Sequence, residues 1–489
     1  MAALLLHVTS SIMGAAHNGR PAVCAHHKHV LLQGLKLHNS SLQASRLTAF
    51  SKFKCMTASG SNSANSSVIL ATSNLHAGHN SQANHDTHMV DGISNGSPWV
   101  GHDTQADHNM KELVERQRQQ AVLDFVVPDF NPPFPLKLNP GLEEANKAAL
   151  KWASHYFESL MSPENFQALF YKANPHMLAG LCYPNAPISR LEFGIEFVTW
   201  LYVLDDESIQ YQKRSWEESI QMQLEIQAVI MSAFPQDQSL RENLVECVNS
   251  ELGRFEILKD FVDNVVAQAT IRHQLGAEYD EHISPIAAAL GDWWTRVLAI
   301  MPKEWSIRFG KVLQQSAFAH FLESHNLHHK IFSSAATYIL ERRKSGLAPS
   351  CIHLQELLQD VLIPDSIYEC PPMQRLLDAA IDAICWNNDI WSFKKEFMAG
   401  EEMANLVFLI SKEEGCSFNK AAEIVTEMTM DKCKEMQLAA IELKEYGKIH
   451  DLTTMEEVAI EEYISCCNHW ISGTHMFHSQ SSRFKLVHA

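Results

Sequence analysis

The chain has 489 residues, of which 46% are hydrophobic and 20% are charged, and its formal net charge is −18. This hydrophobic fraction excludes a wholly disordered chain. The excess of acidic residues argues against nucleic acid as the main partner, because phosphate neutralisation needs clustered Lys and Arg. No run of 18 apolar residues occurs, so no transmembrane segment is expected. The 11 Cys residues follow no disulfide or metal-ligand spacing, which is typical of a reducing compartment.

The amino-terminal part differs in composition from the rest. Residues 1–85 contain no Asp or Glu, whereas six Lys or Arg residues occur there. An acid-poor, Ser-rich leader is typical of an organelle transit peptide, although a plain disordered tail has the same composition. We therefore expect a leader at 1–57 with a plastid address, the cytoplasm being the alternative. A polar linker rich in His, Ser and Asn is expected at 58–120, and the folded domain at 121–489.

Beyond Pro140 the apolar residues recur with a mostly helical period, and segments with the alternation of strands are almost absent. Pro and Gly residues separate the periodic segments. The sequence predicts one large all-α domain with helices at 141–160, 188–210, 215–233, 239–262, 280–300, 304–342, 352–363, 373–398, 417–446 and 453–478.

The first candidate site is Asp205-Asp206-Glu207, which ends a mostly apolar stretch. Phe197, Leu201 and Asp205 are four residues apart, so on a helix the carboxylate ends an apolar stripe, as at the mouth of an apolar pocket. Carboxylate ligands suit Mg²⁺. A solvated acidic helix end would have the same sequence.

The second candidate site lies on the predicted helix 373–398. Asn388, Ser392 and Glu396 are also four residues apart and share one helix face. Their amide, hydroxyl and carboxylate oxygens suit a hard cation. The triad alone could be incidental, but together with the first site it predicts metal binding.

A break in the helical pattern follows Arg342. Gly346 and Pro349 come directly after this basic residue and its two basic neighbours, so the backbone is expected to change direction there. An exposed basic helix end, favoured by the helix dipole, is the alternative interpretation.

The joint spacing of these three features resembles that of the microbial-type class I terpene synthases, the bacterial-like branch of non-seed land plants. The resemblance covers about residues 125–489. It implies an all-α fold, a single class I terpenoid synthase-like helical bundle around an apolar cavity.

The resemblance also implies a role for each candidate residue. Three Mg²⁺ ions, with Mn²⁺ as a substitute, would be held by Asp205, Asp206, Glu207, Asn388, Ser392 and Glu396. The substrate diphosphate would be bound by Arg342, Lys395 and Arg483. The catalytic residues would be Asp205, Asp206, Arg342 and Gly346, and the cavity would be lined by Phe197.

Three positions depart from the family pattern. Ile209 stands where the first motif usually ends in an acid, so Glu207 or Ser208 must substitute or the site has fewer ligands. Ser345 stands where many relatives have Asp between the Arg sensor and Gly346. Phe484 replaces a Tyr beside Arg483 and lacks its phenol donor.

The resemblance predicts an enzyme, a carbon–oxygen lyase that ionises a prenyl diphosphate and cyclises the carbocation with release of diphosphate. Farnesyl diphosphate and a sesquiterpene product are favoured, with a monoterpene or plastid diterpene synthase as the alternative. A prenyl diphosphate synthase and a noncatalytic helical binding protein remain as further alternatives. The expected partner is the small-molecule substrate, in a monomer or homodimer.

Overall fold

The computed structural model describes residue 116, residues 118–252, residue 258 and residues 260–485. The predicted leader, most of the predicted linker and the final four residues therefore lie outside the described residues. Within the described part, no β-strand occurs, and the predicted all-α class is confirmed. None of the helices described is long and apolar enough to span a membrane.

The helices of the first half of the domain follow one another with short connections. They are α1 (Leu142–Phe157), α2 (Pro163–Gln167), α3 (Pro175–Cys182), α4 (Ile188–Arg214), α5 (Trp216–Met231), α6 (Gln238–Leu252), α7 (Phe261–Leu275), α8 (Ala277–Asp280) and α9 (Pro285–Leu298). A π-helical turn, Ala168–Ala173, joins α2 to α3.

The second half contains the longest helices. They are α10 (Lys303–His328), α11 (Ala335–Ser345), α12 (Ala348–His353), α13 (Gln355–Gln359), α14 (Asp365–Tyr368), α15 (Pro371–Ala399), α16 (Leu406–Glu414), α17 (Phe418–Ile449) and α18 (Thr454–Gln480). Two 3₁₀ turns, Glu402–Ala404 and Ser482–Phe484, follow α15 and α18.

Two helices form the centre of the bundle. Helix α4 packs against α1, α5, α9 and α10, and α15 packs against α17 and α18. The limits of α15 follow from its sequence, because Pro371 and Pro372 occupy its first turn and Gly400 ends it with a φ of 75°, which favours glycine. Together, these two helices contain most of the candidate site residues.

Several predicted helix limits are wrong. The predicted helix 304–342 is two helices, since the chain turns at Lys330, whose φ is 55°, and the Ser334 hydroxyl caps α11 by accepting from Thr337 N–H. The predicted helix 352–363 is replaced by α12 and α13, which ends before Asp360 in the left-handed region. The sequence did not predict helices α2, α3, α7, α8, α14 and α16.

The segment before α1 contacts helices α15 and α18. Residues 118–124 are helical, and residues 125–139 have no regular secondary structure. Phe125 is buried, with its ring centre 4.5 Å from that of Phe393 on α15. The Ser472 hydroxyl on α18 donates to the carbonyl of Phe134 at 3.1 Å. The segment therefore ties α15 to α18.

Candidate active site

A cavity of about 210 Å³ lies among helices α3, α4, α10, α11, α12, α15 and α18. On both α4 and α15 the lining residues change along the chain from apolar to polar. Val198 and Leu201 precede Asp205 on α4, and Ile384 precedes Asn388 on α15. The cavity therefore combines an apolar wall with oxygen donors, as the sequence predicted.

Asp205 and Asp206 line this cavity from the C-terminal half of α4, and their side chains are 44% and 45% exposed. Arg483, in the 3₁₀ turn after α18, pairs with both. Its Nη2 lies 2.7 Å from Oδ2 of Asp205 and 2.8 Å from Oδ1 of Asp206. Although burial opposes the charged form, Arg483 and Lys395 hold the pKa of Asp205 below its ordinary value.

Glu207 does not line the cavity. It is two residues beyond Asp205, which places it on a different face of α4, and it is 9% exposed with Oε2 at 3.7 Å from Nη2 of Arg214. Burial raises its pKa. Ser208 is also buried outside the lining, whereas Ile209 lines the cavity. Helix α4 therefore presents two acidic side chains to the cavity, and neither Glu207 nor Ser208 takes the place of the acid that is missing at Ile209.

Asn388, Ser392 and Glu396 on α15 are brought together along the cavity as predicted. Asn405, at the start of α16, orders two of them. Its Nδ2 donates to Oε2 of Glu396 at 2.8 Å and approaches the hydroxyl oxygen of Ser392 at 3.5 Å. Burial raises the pKa of Glu396 to about 7.

The amide of Asn388 is held from both sides. Its Oδ1 accepts from Nη2 of Arg342 at 3.1 Å, and its Nδ2 lies 3.3 Å from Nε2 of His478. Burial, together with the neighbouring His475, lowers the pKa of His478 to about 3, so the ring is neutral and its Nε2 can accept. His478 thereby orients the oxygen of Asn388 away from itself.

Arg342 lines the cavity at the end of α11, in contact with two acids. Its Nη1 lies 3.3 Å from Oε1 of Glu323 on α10, and its Nη2 lies 3.3 Å from Oδ1 of Asp389. Asp389 is buried and also accepts from the Tyr338 hydroxyl at 2.9 Å and the Leu406 N–H at 3.0 Å. Burial nevertheless raises the pKa of Asp389 to about 6.

The backbone after Arg342 turns sharply, as the sequence predicted. A Cβ on Gly346 would lie 2.6 Å from Sγ of Cys385 and 2.9 Å from the carbonyl oxygen of Arg342, so this position needs glycine. Leu347 follows with a φ of 61°. Ser345 is buried, and its hydroxyl donates to Oε2 of Glu323 at 2.5 Å.

Lys395, Arg483 and Phe484 also line the cavity. The Phe484 ring lies 4.7 Å from the ring of His478, so it packs where the family pattern has a phenol donor. Sequence reasoning missed Glu323, Asp389 and His478. Asp389 lies inside the second motif, whereas no local signal marked the other two.

The prediction that Phe197 lines the cavity is wrong. Its side chain is 1% exposed and packs against Trp200, Trp293 and Phe309, with ring centres 4.8–5.9 Å apart. Each step of four residues rotates a position by about 40° around the helix, so Phe197 has turned about 80° from Asp205. Val198 takes the place on the lining that was predicted for Phe197.

The residues present fit a hard divalent cation. Among the described residues, no group of three or more His, Cys, Asp or Glu side chains is close enough to hold a metal by itself. The donors on α4 and α15 are instead carboxylate, amide and hydroxyl oxygens on one cavity. Such a set suits Mg²⁺, which keeps water ligands and is completed by substrate phosphate oxygens.

Comparisons with known proteins agree with this architecture. Residues 245–435 match the family model described as terpene synthase family 2, C-terminal metal binding, and this range contains Arg342 and the α15 donors. Alpha-gurjunene synthase of Marchantia polymorpha is 27% identical over 399 residues, covering 77% of this chain and 90% of the relative. The 4-epi-cubebol synthase of Streptosporangium roseum, whose name describes it as cyclising (2E,6E)-farnesyl diphosphate, is 24% identical, covering 72% and 90%.

The solved structure of a-eudesmol synthase has a TM-score of 0.57 and 19% identity, and the match covers 73% of this chain and all of that one. This likeness shows the fold. The family match and the relatives together support a terpene synthase and hence an enzyme of the lyase class. Within that class, the match and the bacterial and Marchantia relatives support the microbial-type class I group.

Proposed function

We propose that the protein is a Mg²⁺-dependent sesquiterpene synthase that ionises farnesyl diphosphate and cyclises the resulting carbocation. The observation that carries the proposal is the single cavity that joins the oxygen donors of α4 and α15 to Arg342 and Lys395 above an apolar wall. The names of the relatives support the C15 substrate, since the Streptosporangium enzyme is described as cyclising farnesyl diphosphate.

In this proposal the two donor sets hold three Mg²⁺ ions, for which Mn²⁺ can substitute. Asp205 and Asp206 serve one side of the cavity, and Asn388, Ser392 and Glu396 serve the other. Mg²⁺ supplies positive charge that stabilises the leaving diphosphate. Arg342, Lys395 and Arg483 donate hydrogen bonds to the same group, which stabilises negative charge as it develops.

The apolar part of the cavity then determines the fate of the cation. Val198, Leu201, Ile384 and Trp470 line it and exclude water from the prenyl chain. In this proposal the ring of Trp470, which lines the cavity, stabilises the positive charge, and a cation–π contact is worth about 2 kcal/mol when desolvated. The bond between C1 and the diphosphate oxygen breaks with its electron pair leaving on oxygen, and a ring C–C bond forms from the electrons of a distal double bond.

Product analysis tests this proposal directly. The protein lacking residues 1–57 would be incubated with Mg²⁺ and, separately, with C10, C15 and C20 prenyl diphosphates, and the extracts analysed by gas chromatography and mass spectrometry. Cyclic C15 products that disappear with a chelator are expected. Products from only the C10 or C20 substrate would identify a monoterpene or diterpene synthase, and chain elongation a prenyl diphosphate synthase. Folded protein without turnover would indicate a noncatalytic binding protein.

We also propose a plastid address for residues 1–57, resting on their composition alone. A fluorescent fusion of these residues, expressed in plant cells, is expected to reach plastids. A cytoplasmic signal would contradict the address. It would also place the enzyme with the usual farnesyl diphosphate pool rather than with C10 and C20 substrates.

A further inference from the structure

Tyr202 brings a hydroxyl group to the cavity that the roles described so far leave unused. Its side chain lines the cavity from α4, three residues before Asp205, and is only partly buried. The hydroxyl oxygen makes no hydrogen bond with the described residues and, unlike the indole nitrogen of Trp470, it is not sealed from solvent. A donor that is open to the cavity and has no partner is available to the molecule that occupies the cavity.

The other hydroxyl groups on the described part of the lining already have partners. The hydroxyl of Ser345 donates to Oε2 of Glu323. The hydroxyl of Thr474 donates to the carbonyl of Trp470 at 2.7 Å. Ser392 belongs to the oxygen donors of α15. This leaves the phenol on α4 as the hydroxyl of the lining without a partner among the described residues.

The charges around this hydroxyl place it at the end of the cavity where the diphosphate would bind. The guanidinium of Arg483 lies 5.0 Å from the centre of the Tyr202 ring, and the same guanidinium pairs with Asp205 and Asp206. Burial raises the pKa of Tyr202, and Arg483 opposes that rise while Asp205 adds to it, so the hydroxyl lies within electrostatic range of both charges. It therefore stays protonated and can donate a hydrogen bond to an anion.

We infer that the hydroxyl of Tyr202 donates a hydrogen bond to the substrate diphosphate and so supplies the phenol donor that Phe484 lacks, an inference that rests on the proposed function. Tyr202 and Phe484 both line the cavity beside Arg483, the first through its ring contact and the second as the next residue of the chain. A hydrogen bond to a charged acceptor is stronger than one between neutral groups. It strengthens further as negative charge develops on the departing diphosphate, so it favours ionisation as well as binding.

The experiment compares Tyr202→Phe, which removes only the hydroxyl, with Tyr211→Phe as a matched control. Tyr211 is also on α4 and has the guanidinium of Arg214 at 5.0 Å from its ring centre, but it does not line the cavity. Binding of inorganic diphosphate to the full chain would be measured by calorimetry at saturating Mg²⁺. Diphosphate release and the C15 products would be measured with farnesyl diphosphate. Thermal unfolding checks the fold, and Mn²⁺ binding without diphosphate checks the metal ligands.

The loss of the hydroxyl should weaken the contact with diphosphate and leave the rest of the site unchanged. Tyr202→Phe is expected to bind inorganic diphosphate about tenfold more weakly and to release it from farnesyl diphosphate about tenfold more slowly. Its product spectrum, Tm and Mn²⁺ affinity should match those of the wild type, because the ring and the metal ligands are kept. Tyr211→Phe should stay within twofold of the wild type in every measurement.

Three results would overturn the inference. Diphosphate affinity of Tyr202→Phe within twofold of the wild type would show that the hydroxyl does not bind the diphosphate. An equal loss of Mn²⁺ affinity without diphosphate would show that the hydroxyl acts through the acids of α4. An altered product spectrum with normal diphosphate affinity would place the hydroxyl at the carbocation. Failure of the proposed function is a separate result, because the binding comparison needs no turnover and that failure appears as wild-type protein that releases no diphosphate from any prenyl substrate.

Discussion

The two donor sets are held in different ways. Asp205 and Asp206 on α4 are nearly half exposed and are paired with a cation, Arg483, from the end of the chain. On α15, Ser392 is buried, and Glu396 accepts from the neutral amide of Asn405. In the α15 set, the carboxylate of Glu396 is therefore arranged in advance by a neutral donor, and the amide of Asn388 by Arg342. The negative charge of the α4 set is balanced by Arg483, which competes with any metal ion for the same two carboxylates.

This difference has an electrostatic reason. Two adjacent carboxylates repel each other and need compensating positive charge when no metal ion is bound. The α15 set has one carboxylate beside an amide and a hydroxyl, so it needs less compensating positive charge, and burial moves the pKa of Glu396 to about 7. We expect mutations on the α4 side to act mainly through charge, and those around α15 to act through geometry.

The largest difference is expected between mutations of two neighbouring acids on α4, Asp206 and Glu207. Asp206→Asn removes a cavity-facing carboxylate and is expected to lower diphosphate release by about 100-fold or more. Glu207→Gln changes an acid that faces Arg214 outside the cavity, so activity within threefold of the wild type is expected. Steady-state assays at saturating Mg²⁺ measure both. Equal losses would instead place Glu207 among the metal ligands, as the sequence pattern predicted.

Arg483→Ala should have opposite effects on two measurements. In the absence of substrate, Mn²⁺ binding followed by electron paramagnetic resonance is expected to tighten about fivefold. The reason is that an ion pair worth about 1 kcal/mol no longer competes for Asp205 and Asp206. Diphosphate release should fall about 100-fold, since a donor to the leaving group is lost. Arg483→Lys keeps the charge and should keep Mn²⁺ binding near the wild-type value. Weaker Mn²⁺ binding by the Ala variant would refute competition between Arg483 and metal.

Moving the carboxylate from position 323 to position 345 tests how Arg342 is held beside α15. Glu323 contacts both Arg342 and Ser345, so it supplies the carboxylate that many relatives carry at the position of Ser345. Glu323→Gln and Ser345→Asp should each lower diphosphate release about tenfold, the first by removing the acid and the second by placing two acids together.

The double variant should recover to within threefold of the wild type, because one acid again faces Arg342. Thermal unfolding of all three proteins checks that the losses are not caused by misfolding. Additive losses in the double variant would show that the two positions do not share one function.

The sequence predicted what depends on local spacing and missed what depends on tertiary contact. Asn388, Ser392 and Glu396 could be placed together because one helix with Pro at its start and Gly at its end carries all three. Glu323 is 19 residues from Arg342, and the turn that brings them together at Lys330 contains neither Gly nor Pro. The prediction that Phe197 lines the cavity failed because the rotation of about 40° per four residues accumulates over the two steps between Phe197 and Asp205.

The smallest effect concerns the segment that precedes α1. Arg118 contacts Glu402 at 2.6 Å, and its guanidinium lies 4.7 Å from the ring centre of Phe397, near the end of α15 that carries Glu396. The Arg118 side chain is partly exposed, so solvent weakens the ion pair, and Arg118→Ala should lower the free energy of unfolding by about 1 kcal/mol. Differential scanning calorimetry should show a fall in Tm of about 2 °C.

Arg118→Lys is the matched control, because it keeps the charge and loses the flat guanidinium over Phe397. An intermediate Tm is expected for it. Since the α15 donors are also held by Asn405, the Mn²⁺ affinity of Arg118→Ala should stay within twofold of the wild type. A larger loss of Mn²⁺ binding would mean that the arrangement of the α15 donors depends on the amino-terminal segment. Both donor sets would then depend on a segment near one end of the chain, and the difference in charge between them would not explain how each is held.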